Sequence, residues 1–234
     1  MKIGLLGYGK MGKAIKEIAM ERGHEIIFIR DKEITEGELN KADVAINFSI
    51  PQSAVENIKE ALQIQVPVVC GTTGWLSKMS EIEQFCIEKD SAFLYASNFS
   101  IGVNLFFKLN QITASLMKGH ESEYSLKLNE IHHIHKLDAP SGTAISLAED
   151  IIEVNPFYSK WTLNGEEETQ LPITSERLGE VPGTHTLTYS SEVDEIKIEH
   201  IAHSRKGFAL GAVIAAEWIA DKKGIFSMSD VLNL

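Results

Sequence analysis

Cysteine is nearly absent from this chain: Cys70 and Cys86 are the two among 234 residues. A chain long enough to bury a sizeable core has no need of a disulfide framework, so this usage points to a reducing cytoplasm. Long apolar runs are missing too. Nothing approaches the roughly 20 apolar residues that span a bilayer, and Met1-Lys2-Ile3-Gly4-Leu5-Leu6-Gly7 is too short and too glycine-broken for an export signal. Basic residues are scarce relative to acids: 22 Lys and Arg face 33 Asp and Glu, a formal net charge of −11. That sign repels phosphate backbones and anionic lipids, which speaks against nucleic-acid and membrane partners. An anionic ligand therefore needs a pocket that reverses the sign locally. Repeats and low-complexity tracts are also lacking, which leaves ordinary globular units.

What is present is a strong alternation of short apolar runs with amphipathic stretches through the first hundred residues. It predicts strands at 2–6, 25–29, 44–48, 66–70 and 92–95, with helices at 10–21, 52–63 and 77–89. The strands are apolar on both faces, as in a parallel sheet covered by helices on each side. The expected class is a doubly wound α/β unit. Beyond Ser100 the pattern changes. A helix at 103–117 precedes period-two segments at 123–133, 184–189 and 195–202, which suggests a second, α+β unit on a mixed or antiparallel sheet. Residues 155–173, with Glu166-Glu167-Glu168, have no clear period and read as a loop with at most a short strand. A small-residue apolar helix at 208–220 is expected to pack back on the first unit. The predicted division is 1–100 with 208–234 for dinucleotide binding, and 101–207 for substrate binding and oligomerisation.

Gly7-Tyr8-Gly9-Lys10-Met11-Gly12 follows a predicted strand and opens a predicted helix, the context in which GxGxxG is informative. Gly7 allows a tight turn, Gly9 lets pyrophosphate approach the main chain, and Gly12 permits close helix–strand packing, with the helix N-terminus facing the phosphates. Asp31, 19 residues beyond Gly12, lies where an acid holds the adenosine ribose. Arg30 and Lys32 flank it, either as solvated charge or as partners for a 2′-phosphate, so both NADH and NADPH are open. Gly71-Thr72-Thr73-Gly74 follows the fourth strand, at the carboxyl edge where such sheets bind ligands; it is either a plain turn or a nicotinamide-positioning loop.

The densest chemistry is Glu130-Ile131-His132-His133-Ile134-His135-Lys136-Leu137-Asp138-Ala139-Pro140-Ser141-Gly142-Thr143. His132 and Lys136, four apart, share a face in strand or helix and suit proton exchange. Pro140 and Gly142 force a turn. Ser141-Gly142-Thr143 then opens a helix whose free amides and hydroxyls can cradle a carboxylate. Other uses of the histidines are metal ligation, for which no partner set of known spacing exists, and ordinary surface placement. No metal is expected. Ser141 lacks a nucleophile elbow and reads better as a helix cap.

These residues carry a resemblance. EIHHIHKLDAPSGTA at 130–144, together with GYGKMG, GTTG at 71–74, Ala96-Ser97-Asn98-Phe99 and His203-Ser204-Arg205, resembles the 4-hydroxy-tetrahydrodipicolinate reductase (dihydrodipicolinate reductase) family, in family order across nearly the whole chain. The resemblance implies a Rossmann-like unit and NADH- or NADPH-dependent reduction of an unsaturated cyclic dicarboxylate, 4-hydroxy-tetrahydrodipicolinate, in lysine and diaminopimelate biosynthesis. It also implies a homotetramer built through the second unit's sheet. By motif position it makes His132 the proton donor/acceptor and Lys136 the proton donor, with His133, Ser141, Gly142, Thr143 and Arg205 at the substrate. Gly7, Tyr8, Gly9, Lys10, Met11, Gly12, Asp31, Lys32, Gly71, Thr72, Thr73, Ala96, Ser97, Asn98 and Phe99 would meet the nucleotide. Strict strand alternation would turn His133 away from His132, so both face substrate only if the strand ends there.

The departures from the family pattern are modest. Trp75 stands where phenylalanine is expected, beside the nicotinamide; Ser97 replaces a small residue or proline; and Asn47 replaces an acid. Two other readings remain. One is a different two-domain dehydrogenase of an amino-acid semialdehyde or sugar; the other is a non-enzymatic dinucleotide-sensing regulator.

Overall fold

The computed structural model describes every residue except 166 and 205. In chain order the elements are β1 (Lys2–Leu6), α1 (Lys10–Glu21), β2 (Glu25–Arg30), β3 (Thr35–Gly37), β4 (Val44–Asn47), α2 (Pro51–Gln63), β5 (Val68–Cys70), α3 (Met79–Glu88), β6 (Ala92–Tyr95), α4 (Ile101–Met117), β7 (Ser125–His132), α5 (Gly142–Val154), β8 (Lys160–Leu163), β9 (Gln170–Arg177), β10 (Thr184–Ser190), β11 (Glu195–Ile201), α6 (Lys206–Ile219), β12 (Gly224–Phe226) and α7 (Met228–Leu232). Two compact units result, Met1–Asn104 with Lys206–Leu234, and Leu105–Arg205.

The first unit holds a seven-stranded sheet in the order β12-β6-β5-β4-β1-β2-β3, parallel except for the antiparallel β2–β3 pair. Its strands bury both faces. Ile3, Leu5, Val44, Ile46 and Val69 pack with α1 and α6 on one side, while Leu6, Ala45, Val68 and Cys70 pack with α2 and α3 on the other. This two-sided burial is why the strands read as continuous apolar runs. The C-terminal helix α6 returns to this unit as expected, and Gly211 marks how closely it packs. A Cβ there would lie 1.7 Å from the Phe99 carbonyl oxygen.

The second unit holds a mixed five-stranded sheet, β11-β10-β7-β9-β8, antiparallel across β11-β10-β7 and parallel across β7-β9-β8. Here the loop expected over 155–173 is overturned. Lys160–Leu163 forms β8, and β9 has begun by Gln170. β8 is an edge strand of four residues whose single neighbour is β9, so its burial is partial and it imprints no alternation on the sequence. The three-residue edge strands β3 and β12 were missed for the same reason. Along β7, Leu126, Leu128, Glu130 and His132 are buried while Ser125 and Lys127 face out. One strand face therefore runs from the apolar core into ionisable chemistry.

Candidate active site

The glycine-turn half of the candidate residues lies in the first unit. The turn from β1 into α1 puts Gly7 at φ +106°, where a Cβ would stand 2.2 Å from the Phe48 carbonyl oxygen. A Cβ on Gly12 would meet the Gly7 carbonyl oxygen at 2.3 Å. Both glycines are thus demanded by the protein's own backbone. Gly9 differs: it caps α1 and its absent Cβ meets nothing within 4 Å, so the space it leaves is open. A cavity of about 260 Å³ runs from Gly7, Tyr8 and Gly9 to Arg30, Asp31 and Lys32. A second, of about 300 Å³, is lined by Met11, Gly71, Thr72 and Thr73, and both include Phe48 and Ser49. The glycine cradle and the acid at the end of β2 thus share one groove, which fits a dinucleotide.

Around this groove the structure sorts the sequence candidates. Asp31 accepts a hydrogen bond from the Lys32 amide at 2.9 Å and is exposed, as is Lys32. Arg30 is already engaged; its guanidinium pairs with both oxygens of Glu60 and stacks 5.2 Å from the Phe28 ring. Thr72 accepts from the Ser49 amide at 2.9 Å, and its own carbonyl accepts from the Trp75 indole at 2.7 Å. Trp75 is therefore a core residue, 4% exposed and edge-on to Phe93 and Tyr95, which corrects its expected place beside the nicotinamide. Asn47, the departure from an acid, is buried within reach of Cys70 and Asn57 and ties β4 to β5 and α2. Lys10 and Ser97 are exposed and Ala96 half-buried. Asn98 accepts from the Ser100 amide at 2.9 Å, and the Phe99 ring is buried 5.5 Å from that of Phe48. Both thiols are buried and free, and burial pushes each up to about 11, so neither is a nucleophile at neutral pH.

The histidine–lysine half of the candidate residues lies in the second unit. β7 ends at His132, so His133 leaves strand alternation, as shared access to substrate required. The chain then turns: the Lys136 amide donates to the His133 carbonyl at 3.1 Å, and Lys136 Nζ pairs with Asp138 at 2.8 Å. The two residues are thus related by a strand end and a turn rather than by a shared strand or helix face. Exposed His135 lies 3.6 Å from Glu180. Ser141 caps α5, its Oγ accepting from the Ala144 amide at 3.1 Å. That hydroxyl is buried and inward, which leaves exposed Gly142 and half-buried Thr143 as the free first turn of the helix. Arg205 lies outside the described residues.

Sequence reasoning missed the centre of this half. Glu130, fully buried, accepts on Oε1 from the Ser141 amide at 2.9 Å and the Ser175 hydroxyl at 2.8 Å, with the Arg177 guanidinium at 3.4 Å. Its Oε2 lies 3.3 Å from His132 Nδ1 and 3.6 Å from His185 Nε2. The ligand atoms of Glu130, His132 and His185 fall within 4.8 Å of one another. The Arg177 cation and the hydrogen bonds already compensate the carboxylate. The signal for Glu130 was available, since it stands two residues before His132 on a period-two strand. Nothing in the local sequence pointed to His185 or Arg177, which arrive from β10 and β9.

Burial opposes the Glu130 charge, but the facing imidazoles of His132 and His185, with the hydrogen bonds from Ser141 and Ser175, outweigh it and hold the carboxyl well below its usual range. Burial likewise pushes His185 below its ordinary value, against the pull of Glu130, and so keeps it neutral. Both shifts act on stability in one direction. The Glu130 contribution is complete above the unfolded carboxyl value of about 4.3 and is lost as pH falls below it. The His185 contribution is complete above about 6.5 and is lost below, because the unfolded ring takes a proton that the buried ring refuses. Wild type should therefore lose more thermal stability between pH 7 and pH 5 than His185→Gln does. Equal losses by calorimetry would contradict a buried neutral His185. The comparison between the two proteins cancels the relaxation of the net negative charge on acidification.

Dinucleotide-binding oxidoreductases of two units are the class to which this fold and these groups belong. Family models divide the chain between them: the N-terminus of dihydrodipicolinate reductase matches residues 1–99, and its C-terminus residues 102–232. The chain belongs to the dihydrodipicolinate reductase family. It is 52% identical to a 4-hydroxy-tetrahydrodipicolinate reductase of Christiangramia forsetii over all of this chain and 98% of that one. It is 36% identical to the reductase of that name from Methanocaldococcus jannaschii, over 98% and 81%. Among solved structures, a dipicolinate-bound dihydrodipicolinate reductase from Paenisporosarcina sp. TG-14 shares the fold, with a TM-score of 0.81 at 24% identity over 97% of each chain.

Proposed function

We propose that the chain reduces 4-hydroxy-tetrahydrodipicolinate to tetrahydrodipicolinate with NADH or NADPH, in lysine and diaminopimelate biosynthesis. The observation that carries this reading is the end of β7. There His132 stands beside the buried carboxylate of Glu130, directly ahead of a turn bearing Lys136 and the open N-terminus of α5. The names of the two relatives support the reaction. The dipicolinate-bound neighbour supports a small cyclic dicarboxylate as substrate class.

Loss of the 4-hydroxyl as water, with a ring hydrogen, leaves the unsaturated ring to which a bound dihydronicotinamide would supply a hydride. The protein must then stabilise and protonate the negative charge that develops at the adjacent ring atom. His132 exchanges that proton, and Lys136 donates alongside it. The amides of Gly142 and Thr143 with the Thr143 hydroxyl receive one carboxylate at the helix start. His133, and Arg205 by motif position, pair with the other. Gly7 to Gly12, Asp31, Gly71 to Thr73 and Ala96 to Phe99 hold the nucleotide. By the same resemblance the working form is a cytoplasmic homotetramer formed through the second unit's sheet.

Consumption of NADH with the fresh condensation product of aspartate semialdehyde and pyruvate is the direct test. Tight NADH binding without consumption would favour the sensing regulator instead. The cofactor choice has its own handle, because Glu60 withholds Arg30 from the ribose site. Glu60→Gln is expected to raise kcat/KM for NADPH relative to NADH by about 3- to 10-fold. An unchanged ratio in initial rates would show that Arg30 does not reach a 2′-phosphate.

A further inference from the structure

Glu130 is the best-connected buried charge of the second unit. Its two oxygens do different work. Oε1 is saturated by the Ser141 amide, the Ser175 hydroxyl and Arg177, while Oε2 accepts no aligned hydrogen bond and is flanked by the two imidazoles. An ionised carboxylate with one empty oxygen, taken wholly out of water, persists only if that oxygen faces a donor. His132 Nδ1, itself buried and without an aligned partner, is the nearest polar atom to it. The opposite nitrogen meets a different surrounding. A Cβ on Gly183 would lie 3.1 Å from His132 Nε2, so the glycine keeps side-chain bulk away from that atom.

Resting on the reading of His132 as the proton donor, we propose that Glu130 is its positioning residue: Oε2 accepts a hydrogen bond from Nδ1–H and fixes the tautomer that exchanges protons through Nε2, while Oε1 anchors the Ser141 amide ahead of the substrate-binding helix. One carboxylate would thus set the proton donor and the carboxylate cradle in a common register. Apo contacts of this kind are often long and tighten on ligand binding, which suits the 3.3 Å separation. His185 packs edge-on to His132 with ring centroids 5.1 Å apart, and its Nε2 lies 3.1 Å from Ser141 Oγ. It is a neutral brace that does not compete for the carboxylate's charge. The other charged or titratable groups around the cluster are Arg177 from β9, His200 from β11, and Lys136 with Asp138 from the turn.

The test is Glu130→Gln, which keeps shape and removes charge. Turnover is expected to fall by about 10- to 100-fold with a smaller change in KM. A proton-donating site is expected to lose kcat on the alkaline side. Removing the facing anion makes that proton easier to lose and should move the alkaline limb of the kcat profile about one pH unit lower. A purely structural Glu130 would lower Tm and activity but leave the limb in place, and that result overturns the proposal. If the variant does not fold, nitrogen-15 spectra of the imidazoles in the wild-type protein decide. Nδ1–H on neutral His132 is expected, and Nε2–H refutes it. His132→Gln separates the two levels. Full activity there removes the reading of His132, whereas loss there with an unaltered Glu130→Gln removes the positioning role alone.

Discussion

Replacing His132 and Lys136 together, as His132→Gln with Lys136→Met, is expected to cut turnover by about 10⁴-fold while leaving NADH affinity unchanged. The size follows from what each group does. A positioned general acid typically supplies about 10²- to 10⁴-fold, and two groups serving one developing charge are not additive, so the double variant should lose little more than the worse single one. The nucleotide cavities are lined wholly by first-unit residues, so direct titration with NADH should give the wild-type Kd. Both side chains sit at a strand end and in a turn, outside the apolar core, and Lys136 is about one-fifth exposed. Near-normal turnover in this variant would remove the proposed reaction's chemistry from this site.

The second large effect separates glycines that the fold needs from the one a ligand needs. Gly9→Ala should keep its melting behaviour to within about 1 kcal/mol, because its Cβ meets no protein atom and the remaining cost is a poorer helix cap. Its affinity for NADH should drop by at least about 10-fold, as the methyl occupies the approach to the pyrophosphate. Gly7→Ala should behave in the opposite order. Its Cβ collides with the Phe48 carbonyl at a φ that L-residues rarely adopt, at a cost of about 3 kcal/mol or more before any ligand is added. Wild-type NADH affinity in Gly9→Ala would reduce the GYGKMG loop to an ordinary turn.

How far the site was legible in advance varied with the distance over which each signal acts. The strand-turn-helix context around Gly7 to Gly12 is local, and backbone geometry alone explains why Gly7 and Gly12 lack a Cβ. The Ser141 cap and the helix at 142–154 were equally local, written in side-chain to backbone contacts three residues apart. Trp75 misled because a motif position carries no information on which way a side chain turns; the indole bonds the Thr72 carbonyl and packs inward against Phe93 and Tyr95. For Arg30 the sequence left solvated charge and a phosphate partner both open, because its engagement by Glu60, thirty residues on, is a tertiary contact.

By itself the sequence determined the doubly wound first unit, the antiparallel strands of the second, the last long helix, and the segment in which the candidate proton-exchanging residues cluster. Those follow from period, glycine placement and helix starts, which are properties of neighbouring residues. The tertiary structure alone decided which groups charge that segment. Glu130 lies on the buried face of β7, and Ser175 and Arg177 from β9 and His185 from β10 converge on it through strand pairings of more than forty residues' separation. Burial in that sheet is what turns a carboxyl and two imidazoles into one coupled group, because outside a low-dielectric interior their mutual pull would be screened away.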